Sequence, residues 1–142
     1  MLVDANILLY AVDEESRFHA SARSWLEGAL NGNRRVGLPW LSLTAFLQLS
    51  TNARVLAEPL RPEEAWELVE DWLDAPAAWV PAPGRGHRDI LGRLVRGLDL
   101  RANLVTDAVL AALCIEHGLQ IVSADSDFAR FTEITWLNPV SR

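Results

Sequence analysis

With 142 residues, half of them hydrophobic and about a quarter charged, the chain has the make-up of one folded domain and is too short for two ordinary ones, so a single domain over 1–142 is expected. A net charge of −6 argues against nonspecific coating of nucleic acid, which rests on a basic field. No apolar run approaches the roughly 20 residues that cross a bilayer, and no basic stretch precedes an apolar core at the N-terminus, so a cytoplasmic location without membrane association is expected.

Short apolar runs alternate with amphipathic stretches, the pattern of βα units and a parallel sheet. Met1 to Val3 reads as a first strand, with a helix from about Asn6. A second helix is predicted over Ser16 to Leu30, with Ala22, Trp25, Leu26 and Leu30 on one face and Gly32 as its stop. Val36 to Leu38 is a second strand, and Pro39 separates it from a helix through Ser42 to Ser50. Pro62 opens a helix to near Asp74, on which Ala65, Trp66, Leu68, Val69, Trp72 and Leu73 form one broad apolar stripe. Trp25, Trp66 and Trp72 are therefore expected in the core. Ala78 to Val80 is a third strand, cut off by Pro81 and Pro83. A basic amphipathic helix follows over Arg88 to Leu98, then a mostly apolar one over Asp107 to His117 that ends at Gly118 as a left-handed cap. Gln120 to Ser123 is a fourth strand, a short helix covers Asp127 to Phe131, and Ile134 to Leu137 is a fifth strand. The sum is an α/β fold, a three-layer α/β/α sandwich with a five-stranded, mainly parallel sheet.

The single cysteine, Cys114, lies in an apolar helical run and has no partner thiol, which makes it a core residue. His19, His87 and His117 show no paired metal-ligand spacing. His117, in a last helical turn, suits a helix C-terminus as a cation.

The chemistry is carried by aspartates at the edges of apolar segments: Asp4 in MLVDAN, Asp107 in TDAVLAAL, and Asp125 with Asp127 in IVSADSDF. Each taken singly is explained as a helix N-cap, worth on the order of 1 kcal/mol, although Thr106 is an alternative cap to Asp107. Capping alone does not predict acids at the ends of two strands of one sheet with a third opening the helix before the second strand. Carboxyl ends of strands in an open α/β sheet converge on the ligand crevice. At about 5 Å and an effective dielectric near 20, each ionised pair there costs roughly 3 kcal/mol. The chain has no lysine to offset that charge, so arginine, protonation or a divalent cation must. Magnesium and manganese favour such hard oxygen ligands, and a cation there suits phosphodiester hydrolysis by lowering the pKa of an attacking water.

VDAN at Val3 to Asn6, NLVTDAVLAALCIEHG from Asn103 to Gly118, SADSDFARF from Ser123 to Phe131 and STNARVL at Ser50 to Leu56 resemble the PIN-domain family, in particular the VapC toxins of bacterial toxin–antitoxin pairs. The likeness covers nearly the whole chain. It implies a Mg2+- or Mn2+-dependent endoribonuclease, a homodimer silenced by a cognate antitoxin protein, acting on structured RNA such as tRNA or rRNA. By the same likeness Asp4, Asp107 and Asp125 match the catalytic, metal-binding acids, Asp127 an accessory one, and Asn6 the residue that steadies the first motif. One departure stands out: Ala45 occupies the position of the glutamate that the family usually carries after the second strand. Ser42 and Gln48, a turn to either side, offer a hydroxyl and an amide in its place but no charge. The rival expectation is a catalytically impaired PIN-like module that binds RNA or protein.

The basic set, all arginine, suits phosphate contacts and base stacking, and Arg85, His87, Arg88, Arg93 and Arg96 form the candidate RNA-facing patch. A solvated helix face explains the same residues equally well. Helices near the N-terminus and around Trp66 are candidates for the dimer face or for an antitoxin groove.

Overall fold

The computed structural model describes residues 1–140. Five two-residue strands pair in parallel throughout: β1 (Leu2–Val3), β2 (Val36–Gly37), β3 (Ala78–Trp79), β4 (Ile121–Val122) and β5 (Trp136–Leu137). Their order is β3-β2-β1-β4-β5, so the chain lays β2 and β3 outward from β1 on one side and then returns to add β4 and β5 on the other. The expected sandwich is observed, with a wholly parallel sheet. Six helices carry the chain back between strands: α1 (Ala5–Val12), α2 (His19–Leu30), α3 (Trp40–Ser50), α4 (Pro62–Asp74), α5 (His87–Gly97) and α6 (Asn103–His117). A short 3-10 helix spans Ser126–Arg130.

Alternation along the strands divides the core in two, because neighbouring side chains on a strand point to opposite faces. Val3, Val36, Leu38 and Val122 pack with α1 to α4, including Ile7, Leu26, Phe46 and Val69. Leu2 and Ile121 face the other way, against Leu94 of α5, Ala111 and Leu113 of α6, and Phe128. Cys114 lies in this second core as a free thiol, which burial pushes up to about 12, in keeping with a packing role.

Local chemistry sets several boundaries. Helix α2 starts at His19 rather than Ser16, because the Ser16 hydroxyl accepts from the Phe18 amide in a turn that leads into it. Helix α3 begins at Trp40, directly after Pro39, two residues before Ser42. Pro62 opens α4 as expected, with Glu64 accepting from the Arg61 amide at 3.1 Å. The largest difference is at α6. It starts at Asn103, so Asp107 stands in its second turn and neither Thr106 nor Asp107 is a cap. The cap position belongs to Ala102, held at φ 52 and ψ −128 with no side-chain hydrogen bond. Trp66 also departs from expectation. It is 44% exposed and stacks on Trp40, while Trp72 is buried. Six residues separate the two, a rotation that leaves them about 120° apart around the helix.

Candidate functional site

The order of the sheet reverses between β1 and β4, and at that point the carboxyl ends of neighbouring strands leave a crevice. Pairing of Val3 with Val122 sets Asp4 opposite Ser123. Ser123 Oγ donates to Asp4 Oδ2 at 2.7 Å, and Asn6 Nδ2 donates to the same oxygen at 3.3 Å and to Ser123 Oγ at 3.1 Å. Asn6 Oδ1 in turn accepts from the Ala124 amide at 3.2 Å. The start of α1 is thereby tied to the loop after β4. Ser123, fully buried, also accepts from the Asp125 amide at 3.0 Å and is the hub of this network.

For Asp4 and Asp125, capping and membership of the site are not alternatives. Asp4 Oδ1 accepts from the Ala5 amide at 2.7 Å, and Asp125 Oδ1 accepts from the Asp127 amide at 2.9 Å. Burial raises the Asp4 carboxyl above its usual range, against the lowering effect of the Ser123 and Ala5 hydrogen bonds. Asp107 caps nothing. It projects from the second turn of α6, and its carboxyl is pushed up to about 6, first by burial and then by the charges of Asp125, Asp4 and Asp127.

Carboxylate oxygens of Asp107, Asp125 and Asp127 all lie within 4.8 Å of one another. Asp127, expected as an accessory, is thus in the close group. Asp4 stands beside it, near enough to act on Asp107, with both oxygens engaged by Ala5, Ser123 and Asn6. Three hard oxygen donors at this spacing suit a divalent cation. The Asp107 carboxyl is raised first by its burial and then by the negative charge gathered there, which Arg130 only partly offsets.

Helix α3 begins at the same edge of the sheet, and its Ser42 is buried, with Oγ meeting no partner among the described residues. Ala45 follows at a half-buried position. Gln48 does not share Ser42's face: six residues of helix turn it by about 120°. It is exposed and lines a cavity of about 480 Å³ with Leu47, Thr51, Pro62 and Trp66.

Of the five residues expected to face RNA, Arg85 lies in the loop before α5 and the other four are spread along that helix. Glu116, at the end of α6 that leads into β4, accepts from the Gly84 and Gly86 amides, so α5 begins at the amino edge of the sheet. Arg85, His87 and Arg88 lie at that edge. Arg96 is eight residues beyond Arg88, about 12 Å nearer the acids. Arg93 donates to Glu133 through both Nη1 and Nη2. The arginine that does reach the acids is Arg130, whose Nη2 donates to Asp127 Oδ1 at 3.2 Å. Its signal in the sequence is its place three residues after Asp127 on a helical segment.

The family model described as PIN domain matches residues 1–134. The chain belongs to the PIN-domain family. Among its PIN relatives, Ribonuclease VapC37 of Mycobacterium tuberculosis is 48% identical over 138 residues, covering 97% of this chain and 96% of that protein. Ribonuclease VapC33 of the same species is 39% identical over 140 residues, covering 99% and 98%. The fold is also that of solved structures at low identity. VapBC2 from Rickettsia felis, bound to a DNA fragment from its promoter, superposes with a TM-score of 0.72 at 16% identity over 96% of each chain. VapBC-1 from nontypeable Haemophilus influenzae gives 0.69 at 14% identity over 99% of this chain and 98% of that one.

Proposed function

We propose that this PIN domain, spanning 1–142 as a single unit, is an endoribonuclease toxin dependent on Mg2+ or Mn2+ and neutralised by a cognate antitoxin protein. The observation that carries the reading is the group of Asp107, Asp125 and Asp127 oxygens within 4.8 Å, with the Asp107 carboxyl pushed up to about 6. Relatives named ribonucleases, up to 48% identical over nearly the whole chain, support the reaction class. VapBC structures with the same fold support the antitoxin as partner.

In this reading Asp107, Asp125 and Asp127 hold the cation, and Asp4 lends its charge from beside them. When bound, the ion lowers the pKa of a water and offsets charge that grows on the phosphate. The chain's own part is positional. Ser123 and Asn6 fix the Asp4 carboxylate, and the Asp127 amide fixes that of Asp125. No nucleophile from the chain is required. The substrate is structured RNA such as tRNA or rRNA, and the working form is a cytoplasmic homodimer; no described helix is long and apolar enough to cross a membrane.

Asp4→Asn is expected to leave the fold intact and abolish both RNA cleavage and growth inhibition. Undiminished cleavage by that variant, or by the native protein in excess chelator, defeats the proposal. A second reading, a PIN-like module that binds without cutting, rests on Ala45. Ala45→Glu separates the two: a large gain from near zero favours the binding module, whereas little change favours a site already complete.

A further inference from the structure

Arg130 makes two contacts with one residue: its Nε donates to the Asp127 carbonyl at 3.1 Å and its Nη2 to Asp127 Oδ1 at 3.2 Å. Among the described residues it is also the one cation that acts on Asp107, against three acids. The pair is exposed, 38% for Arg130 and 47% for Asp127, and exposed pairs of this kind add little to stability. Holding the short 3-10 helix therefore does not explain it. Asp127 is, however, a member of the close oxygen group, so Arg130 rests on a carboxylate that a divalent cation would claim. A guanidinium does not deprotonate in the accessible pH range, and it leaves one anion only for another. Among the described residues its Nη1 meets no acceptor, which leaves the outer edge of the fork open toward solvent.

We propose that Arg130 is a phosphate-holding residue, which gives up Asp127 to a cation and turns its fork onto a phosphodiester of the RNA beside the acids. The proposal rests on the ribonuclease reading. The chemistry that recommends it is the match of a planar two-nitrogen fork to two phosphate oxygens. Position also recommends it, since Arg130 is already at the acids while Arg85, His87 and Arg88 lie at the opposite edge of the sheet.

The test uses Arg130→Gln and Arg130→Lys in the full chain. Titration with Mn2+ alone is expected to show several-fold tighter binding to Arg130→Gln, because a competitor for Asp127 has been removed. Binding of a short single-stranded RNA with phosphorothioate linkages, in Mn2+, is then followed across salt concentrations. Loss of one phosphate contact lowers the slope of log affinity against log salt by about 0.7, and Arg130→Lys restores most of it. In cleavage assays KM rises for Arg130→Gln while kcat stays within a few-fold. An Arg130→Gln protein with the native salt slope, or with weaker Mn2+ binding, overturns this proposal alone. A native protein that binds no RNA at any salt removes the ribonuclease reading and takes this one with it.

Discussion

Helix α6 carries two inward-set carboxylates, Asp107 and Glu116, about 14 Å apart along its axis, and they are treated in opposite ways. Glu116 is met by backbone: the Gly84 amide donates to it at 2.8 Å and the Gly86 amide at 3.1 Å. A Cβ added to Gly84 would stand 3.0 Å from the same carboxylate, which would have to shift by a few tenths of an ångström to admit it. Asp107 meets other carboxylates instead, and burial together with their charges pushes its carboxyl up to about 6. Satisfied by amides, Glu116 closes the loop into α5. Left among like charges, Asp107 is available to something from outside the chain. The lesson is that, for two partly buried acids on one helix, the groups each carboxylate meets separate a residue that holds the fold from one that serves the site.

Removing each carboxylate should therefore have opposite consequences. Asp107→Asn is expected to cut RNA cleavage by on the order of a thousandfold or more, as when one member of a unit that acts together is lost. Its thermal stability should be equal to or above that of the native chain, because repulsion is relieved; a large drop in stability would recast Asp107 as structural. Glu116→Ala is expected to behave in the reverse sense. Two amides lose their acceptor, at a cost of about 1–3 kcal/mol in denaturant unfolding, while Mn2+ affinity stays within about twofold. Loss of metal affinity without loss of stability would dissolve the contrast between the two positions.

The pH dependence sharpens the contrast further. Asp107 is pushed up to about 6 from an ordinary 3.8, so across that window the folded chain binds more protons than the unfolded one. The metal-free protein thus loses this group's contribution as pH rises from about 4 through 6. Asparagine imitates the protonated form, and the stability advantage of Asp107→Asn should be nil below pH 4, grow through the window and be full above it. Mn2+ affinity should run the other way, falling up to tenfold per pH unit below about 6, since the carboxyl must shed its proton to bind. A flat profile in both measurements would remove Asp107 from the site. The smallest effect is expected at the helix start: Ala102→Gly relieves a positive φ and should add about 1 kcal/mol of stability with cleavage unchanged.

Much of this was legible in the residues, and the exceptions have physical reasons. The alternation of apolar runs and amphipathic stretches gave the layers, and Pro62 fixed the start of α4. The acids could be singled out because their motifs lie at strand and helix edges. Their grouping could not be ranked, since the prominence of Asp127 over Asp4 depends on distances between oxygens that only the folded backbone sets. The start of α6 escaped detection because its cap residue, Ala102, carries no capping side chain and adopts a conformation that sequence preference disfavours. Trp66 shows the limit of reading a stripe: a residue at its margin can be rotated out onto the surface and stack on Trp40. The basic patch carried no direction in the sequence, since charge density in a segment does not reveal which end of α5 lies nearer the acids.

The most direct test is anomalous diffraction from crystals soaked in Mn2+. A peak within coordination distance of the Asp107, Asp125 and Asp127 oxygens is the expected result, lost in Asp107→Asn crystals soaked alike. An empty position between those carboxylates at millimolar Mn2+, or a peak that persists unchanged in the variant, would contradict the central claim that these three acids together hold the ion.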